Sequence, residues 1–189
     1  MTDSIHIRGI SSLDIPELQP YRTLRRPQEH FQKGIFVAEG EKVVRRLLDS
    51  DIPVASVLVT KEWFEKLFPG ESKRKKKTFE VFVAGDQLLR QIVGYNVHQG
   101  VMAIGRVPPP PSLDATIGTL PSPHLLIALD GLTQAENVGV IVRNCAAFGV
   151  DAILAGETSC SPYVRRAVRI SMGTVFKLPI IHVDNMKES

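Results

Sequence analysis

The sequence predicts an α/β protein built on mostly parallel sheet, and three observations carry that prediction. Short apolar runs alternate with segments of helical periodicity along most of the chain. Several runs, such as Leu125-Leu126-Ile127-Ala128-Leu129, are apolar at every position, as strands covered on both faces are. Strand followed by helix, repeated, favours crossover connections and so parallel neighbours.

In the first half, Gly34-Ile35-Phe36-Val37-Ala38 reads as a buried strand. Glu41 to Leu48 reads as a helix with Val43, Val44, Leu47 and Leu48 on one face. Ser56–Thr60 is the next strand and Lys61–Phe68 the next helix. A third strand is expected over Phe79–Val83, and Asp86 as N-cap of a helix through Ile92. Gly100–Ile104 closes the unit. His98 follows the turn-like Gly94-Tyr95-Asn96-Val97 with no partner at metal or triad spacing, which makes it a structural hydrogen-bonder.

Pro108-Pro109-Pro110-Pro111, followed by Pro121 and Pro123, predicts a stiff linker over 108–122 with little structure of its own. The domains are thus expected at 1–107 and 123–189. In the second, Leu125–Leu129 is a strand ended by Asp130-Gly131. A helix from about Asn137 to Phe148 would bury Val138, Ile141, Val142, Cys145, Ala146 and Phe148, with Gly149 stopping it. Ala152–Ala155 is a strand, and Ser161-Pro162 reads as N-cap and first-turn proline of a helix carrying Arg165, Arg166 and Arg169. Leu178–Val183 gives the last strand.

Composition narrows the class. In 189 residues, 43% are hydrophobic and 23% charged, which excludes a disordered tail, a collagen-like fibre and a coiled-coil rod. No apolar run reaches the ~20 residues of a membrane span. The stretch Met1-Thr2-Asp3-Ser4-Ile5-His6 lacks the basic and apolar regions of a secretion signal. Cys145 and Cys160 offer neither a disulfide framework nor metal-ligand spacing, and Cys145 reads as a core residue. The expectation is a cytoplasmic protein without a metal.

Charge is uneven. Residues 1–107 hold 17 Lys and Arg against 13 acids, while residues 108–189 hold 6 against 7. Lys73-Arg74-Lys75-Lys76-Lys77 could neutralise phosphates of a nucleic acid, or could be a solvated loop. Arg22, Arg25 and Arg26, with Lys33, form a second basic group that raises the case for a polyanionic partner.

The segment from Asp130 to Arg143 spans a strand-to-helix turn, where parallel sheets hold their ligands. It has no G-x-G-x-x-G and no P-loop. Asn137 stands at the expected helix start, Gly139 permits close approach, and Arg143 lies two turns in. On the residues alone, Asn137 is a cap and Arg143 a surface or ion-pairing residue, with catalysis the alternative.

The segment Asn137-x-Gly139-x-x-x-Arg143 with Ala146-Ala147-Phe148-Gly149-Val150-Asp151 resembles the first signature of the SpoU (TrmH-type) RNA ribose methyltransferases, of the SPOUT superfamily. The stretch Ala167 to Pro179 resembles a later one. Tyr21-Arg22-x-Leu24-Arg25, Phe36 to Lys42 and His98-Gln99-Gly100-Val101 are similar to that family's substrate-binding domain, which is related to a ribosomal-protein fold.

The resemblance implies a small ribosomal-protein-like α/β domain before the first half of an α/β-knot catalytic domain. It implies S-adenosylmethionine as methyl donor, a ribose 2′-hydroxyl in rRNA or tRNA as acceptor, and a homodimer. Arg143 and Asn137 become the catalytic candidates. Arg22, Arg25, Arg26, Lys73, Arg74, Lys75, Lys76, Lys77, Arg165, Arg169 and Ser171 become the RNA-binding ones. Taking the proton off a free guanidinium near pH 7 costs roughly 7 kcal/mol, so fixing a phosphate and favouring a developing alkoxide ranks above acting as a base. Family members continue well past this length with the segments that complete the cofactor pocket. No cofactor contact is therefore assigned, and the 189 residues are expected to be inactive by themselves. The alternative is an RNA-binding module with a vestigial catalytic half.

Overall fold

A computed structural model of the chain describes residues 5–69, 78–93 and 100–186, with the side chain of Val93 excepted. The chain divides into two compact units, residues 1–107 and 108–189. Lys73–Lys77 and His98 lie outside the described residues.

The first unit is a five-stranded sheet in the order β1-β4-β3-β5-β2. The strands are β1 (His6–Ile10), β2 (Ile35–Glu39), β3 (Val54–Thr60), β4 (Glu80–Ala84) and β5 (Val101–Arg106). β1, β4 and β3 run parallel. β5 is inserted between β3 and β2 and is antiparallel to both. It therefore does more than close the unit. It joins β3 to β2. At Gly105 the close packing is explicit, because a Cβ there would stand 2.3 Å from Cζ of the Phe36 ring.

Among the described residues this unit has five α-helices, α1 (Gln19–Arg22), α2 (Pro27–Gln32), α3 (Glu41–Asp49), α4 (Lys61–Leu67) and α5 (Asp86–Val93). α3 buries Val43, Val44, Leu47 and Leu48, as its periodicity requires. Thr60 caps α4 by accepting a hydrogen bond from the Trp63 amide at 3.3 Å. Asp86 is already inside α5, whose first turn closes on the Gly85 carbonyl, so the expected cap falls one residue late. The core joins Leu18, Tyr21 and Leu24 to Val37, Leu58, Phe82, Leu89, Met102 and Ile104. Tyr21 is fully buried, and its hydroxyl shares a 2.8 Å hydrogen bond with Ser56 Oγ. Burial pushes the ionisation of that phenol well above its usual range.

The second unit is a parallel sheet in the order β6-β7-β8, with β6 at Leu126–Leu129, β7 at Ala152–Gly156 and β8 at Ile180–Val183. The crossovers carry α7 (Ala135–Phe148) and α8 (Arg165–Ile170), which pack against each other on one face. On the opposite face Ala152, Ile181 and Val183 pack with Leu126, Leu154, Leu113, Leu120 and Met186. The segment expected to be a bare linker thus carries a helix, α6 (Leu113–Ile117). Ser112 caps it by accepting from the Ala115 amide, and its Leu113 covers apolar sheet that would otherwise face water.

Three further expectations need correction. α7 begins at Ala135, so Asn137 is in its first turn and is not the N-cap. Ala146 and Phe148 are exposed, lying to either side of the buried line Val138–Val142–Cys145. Ser161 does not cap α8, which starts at Arg165. Its hydroxyl instead accepts from the Tyr163 amide in the preceding turn. Gly149 does end α7, in the left-handed conformation at φ 72°.

Candidate nucleic-acid site at the strand ends of the second unit

β6 ends at Leu129, and the chain passes through Asp130 and Gly131, the latter at φ +64° with open space where a Cβ would be. The loop to α7 is held by its neighbour after β7. Ser159 Oγ donates to the Leu129 carbonyl at 2.9 Å and accepts from the Leu132 amide at 3.1 Å. The Cys160 amide donates to the Leu132 carbonyl at 2.8 Å. One serine hydroxyl therefore locks the strand-end loops of two adjacent parallel strands. Sequence reading missed Ser159, because a serine in a loop after a strand signals only a turn until the pairing of β6 with β7 is known.

α7 opens with Gln134 in the cap position, its side chain making no capping bond to the backbone. Asn137 reaches back instead, donating from Nδ2 to Gln134 Oε1 at 3.2 Å. Glu136 forms an ion pair with Arg166 of α8. At Gly139 the two helices come so close that a Cβ would lie 2.8 Å from the Ala167 carbonyl oxygen and 2.9 Å from Ile170 Cβ. The approach Gly139 permits is thus helix to helix, and not helix to ligand.

These contacts run in the same order along both helices, Glu136 with Arg166 and then Gly139 with Ala167 and Ile170. Arg143 lies one turn past Gly139, on the flank of α7 turned toward the end of α8. It is exposed, and no described residue pairs with it. Asn137 and Arg143 do not meet. Six residues separate them by roughly 9 Å along the axis and about 120° around it. Past α8, Met172 at φ 57° and Gly173 at φ 77° make two consecutive left-handed residues that turn the chain into a 3-10 turn at Thr174–Phe176. A left-handed methionine is strained backbone, of a kind that concentrates at functional sites.

The other candidates divide. Arg169 is exposed and Arg165 half-buried. Ser171 is 1% exposed, donates to the Val168 carbonyl at 2.9 Å and accepts from the Gly173 amide at 3.3 Å. It closes the end of α8 and cannot face RNA, which corrects its assignment. In the first unit Arg22, Arg25 and Arg26 are all exposed. Arg22 pairs with Asp14 at 3.0 Å and Arg26 with Glu29 at 2.9 Å. Among the described residues no three His, Cys, Asp or Glu side chains cluster as a metal site would need, and no helix is long and apolar enough to cross a membrane.

The site is that of an α/β protein that carries an exposed guanidinium, Arg143, on the helix following the first strand of a parallel sheet. Comparison with known proteins makes this specific. Residues 124–189 match the SpoU rRNA Methylase family, and residues 37–111 match the family described as RNA 2′-O ribose methyltransferase substrate binding. The chain belongs to the SpoU family of RNA methyltransferases.

A similar protein from Mycobacterium tuberculosis (strain H37Rv), named an uncharacterized tRNA/rRNA methyltransferase, is 30% identical over 182 residues, covering 94% of this chain and 61% of the relative. An rRNA methyltransferase from Sinorhizobium meliloti, solved with AdoMet bound, superposes with a TM-score of 0.75 at 23% identity, over 96% of this chain and 66% of that one. The SpoU methyltransferase AviRb from Streptomyces viridochromogenes gives a TM-score of 0.70 at 22% identity, over 90% and 62%. At such identities the structures speak for the fold. The chain spans about three-fifths of the length of the mycobacterial relative.

Proposed function

We propose that this chain is the RNA-docking and motif-bearing part of an S-adenosylmethionine-dependent methyltransferase that modifies a ribose 2′-hydroxyl in rRNA or tRNA. In this reading residues 1–107 dock the RNA and residues from 123 onward carry the catalytic motif. The observation that carries it is Arg143, an exposed guanidinium without a partner among the described residues, at the signature helix of the family. A planar fork can grip the phosphate beside the target ribose bidentately. The same positive charge favours the negative charge that develops on the 2′-oxygen as its proton leaves. Asn137, bonded to Gln134, holds the start of the same helix.

The residues present do not by themselves fit the methyl donor. In parallel sheets a nucleotide lies against the carboxyl ends of the strands. At that end of β7 a side chain has little room: a Cβ on Gly156 would meet Met186 Cε at 3.2 Å, with Asp130 Oδ1 and the Leu129 carbonyl at 3.3 Å. The 189 residues by themselves are expected to transfer no methyl group. The second reading is an RNA-binding module whose catalytic half is vestigial.

Homodimerisation and a cytoplasmic setting complete the proposal. Val140 and Phe148 on α7 and Leu125 beside β6 are large, apolar and exposed, which supports cover by a second copy.

RNA binding is the test common to both readings. The chain is expected to bind ribosomal or transfer RNA with an affinity that falls linearly on a log–log plot against salt, with a slope of roughly 0.7–0.9 per phosphate neutralised. Filter binding across a salt series measures it. Binding that ignores salt, or no binding near physiological ionic strength, contradicts the proposal.

A further inference from the structure

We infer that Phe31 is a stacking platform for an unpaired base, so that the first unit docks single-stranded rather than duplex RNA. The inference rests on the proposed RNA-binding function and extends it to a residue outside the matched substrate-binding segment, which begins at residue 37.

Phe31 lies on α2 and is 75% exposed. No described residue makes a ring contact with it. A phenyl ring held in water has an unfavourable hydration cost that an occupant would relieve. The ring is held outward by its neighbour. His30, one residue earlier and so about 100° around the helix, is buried, with Nε2 3.0 Å from the Pro20 carbonyl and 3.1 Å from Thr23 Oγ1. That anchor fixes the rotation of α2 and leaves Phe31 no route to the core.

The surroundings select the occupant. Arg25 and Arg26 precede α2 and Lys33 follows it, all exposed, with Arg22 at the end of α1. Asp14 pairs with Arg22 and Glu29 with Arg26, which leaves Arg25 and Lys33 without a carboxylate among the described residues and this surface with a local net of +2. Arg25 has no partner among the described residues. A second copy of the chain would bring the same positive surface against itself, because a twofold contact repeats one patch on both sides. Duplex RNA would engage the cations but offer no base face to the ring. An unpaired strand satisfies both, its phosphates on the arginines and a base on the phenyl.

Fluorescence anisotropy with a labelled single-stranded oligoribonucleotide, and with the matching duplex, tests this on the full chain. Phe31→Ala and Phe31→Leu are both expected to weaken single-strand binding about 5- to 100-fold, while Phe31→Tyr keeps it. The salt slope should be unchanged in Phe31→Ala and fall by about 0.7 in Arg25→Ala. Duplex binding should not respond to Phe31. Parental affinity in Phe31→Leu, an equal loss for duplex and single strand, or a change of sedimentation coefficient in Phe31→Ala each overturns the inference while leaving RNA binding standing. A parental chain that binds neither RNA overturns the functional proposal and this inference together.

Discussion

Arg143→Lys is expected to lower methyl transfer by roughly a hundredfold or more, in a chimera that continues these 189 residues with the C-terminal part of the Mycobacterium tuberculosis relative. The magnitude is that of removing one preorganised donor from a site of developing negative charge. Lysine keeps the charge but loses the planar fork that holds a phosphate through two parallel bonds. Stability should not change, because Arg143 is exposed and makes no ion pair with a described residue. RNA affinity should change only modestly, since a charge remains at the same place. Single-turnover rates with unchanged melting temperature check the prediction. Turnover close to the parent would remove Arg143 from the chemistry.

Gly139→Ala should produce the second large effect, on stability and activity together. The added methyl would press on a backbone carbonyl, that of Ala167 at 2.8 Å, and on Ile170 Cβ at 2.9 Å. Neither belongs to the far end of a flexible side chain, so α7 and α8 must separate. Overpacking of this kind costs about 1–3 kcal/mol. Because Arg143 lies one turn further along the same helix, the shift also moves its guanidinium. A displacement of about 1 Å at a reacting group can cost roughly a hundredfold in rate. Thermal unfolding and the same methyl-transfer assay measure both. An unchanged melting temperature would mean that the helices are not packed at Gly139 as described.

The parts of this fold that are legible in sequence are those whose local pattern and tertiary role agree. α3 buries the four residues its periodicity names. β7 is a continuous apolar run, β8 is one interrupted by the exposed His182, and Gly149 ends α7 as a left-handed cap, whereas β6 is equally apolar but half-buried at Leu126 and Ile127 and exposed at Ala128. What is illegible depends on distant partners. β1, His6–Ile10, is exposed at four of its five positions, so no alternation marks it. Its hydrogen bonds to β4 alone make it a strand. α1 and α2 are too short to signal themselves, and are fixed by buried Tyr21 and His30. α6 hides behind four prolines because its stabilising contacts, Leu113 and Leu120 on the sheet, lie elsewhere in sequence.

The site divides the same way. Arg143 could be singled out by its spacing from Asn137, and the fold exposes it. The joint role of the two residues could not be read, because spacing along a sequence does not state rotation around a helix. Asn137 looks like a cap because asparagine favours that position. Ala135 and Glu136 carry the helix two residues further toward the strand and leave Asn137 bonded to Gln134. Ser171 reads as a polar residue of a signature and turns out to be the buried hydroxyl that closes α8. Ser159, silent in sequence, ties the two loops that frame the site.

In the proposed function, this chain supplies the RNA-docking surface and the guanidinium for methylation of a ribose oxygen. The direct measurement is transfer of tritium from methyl-labelled S-adenosylmethionine to RNA, followed by alkaline hydrolysis, which cannot cut beside a methylated 2′-oxygen. Label in alkali-resistant dinucleotides from the chimera, absent with Arg143→Ala and absent from the 189 residues alone, is the predicted result. Label recovered on a base, or undiminished without the Arg143 guanidinium, would contradict it.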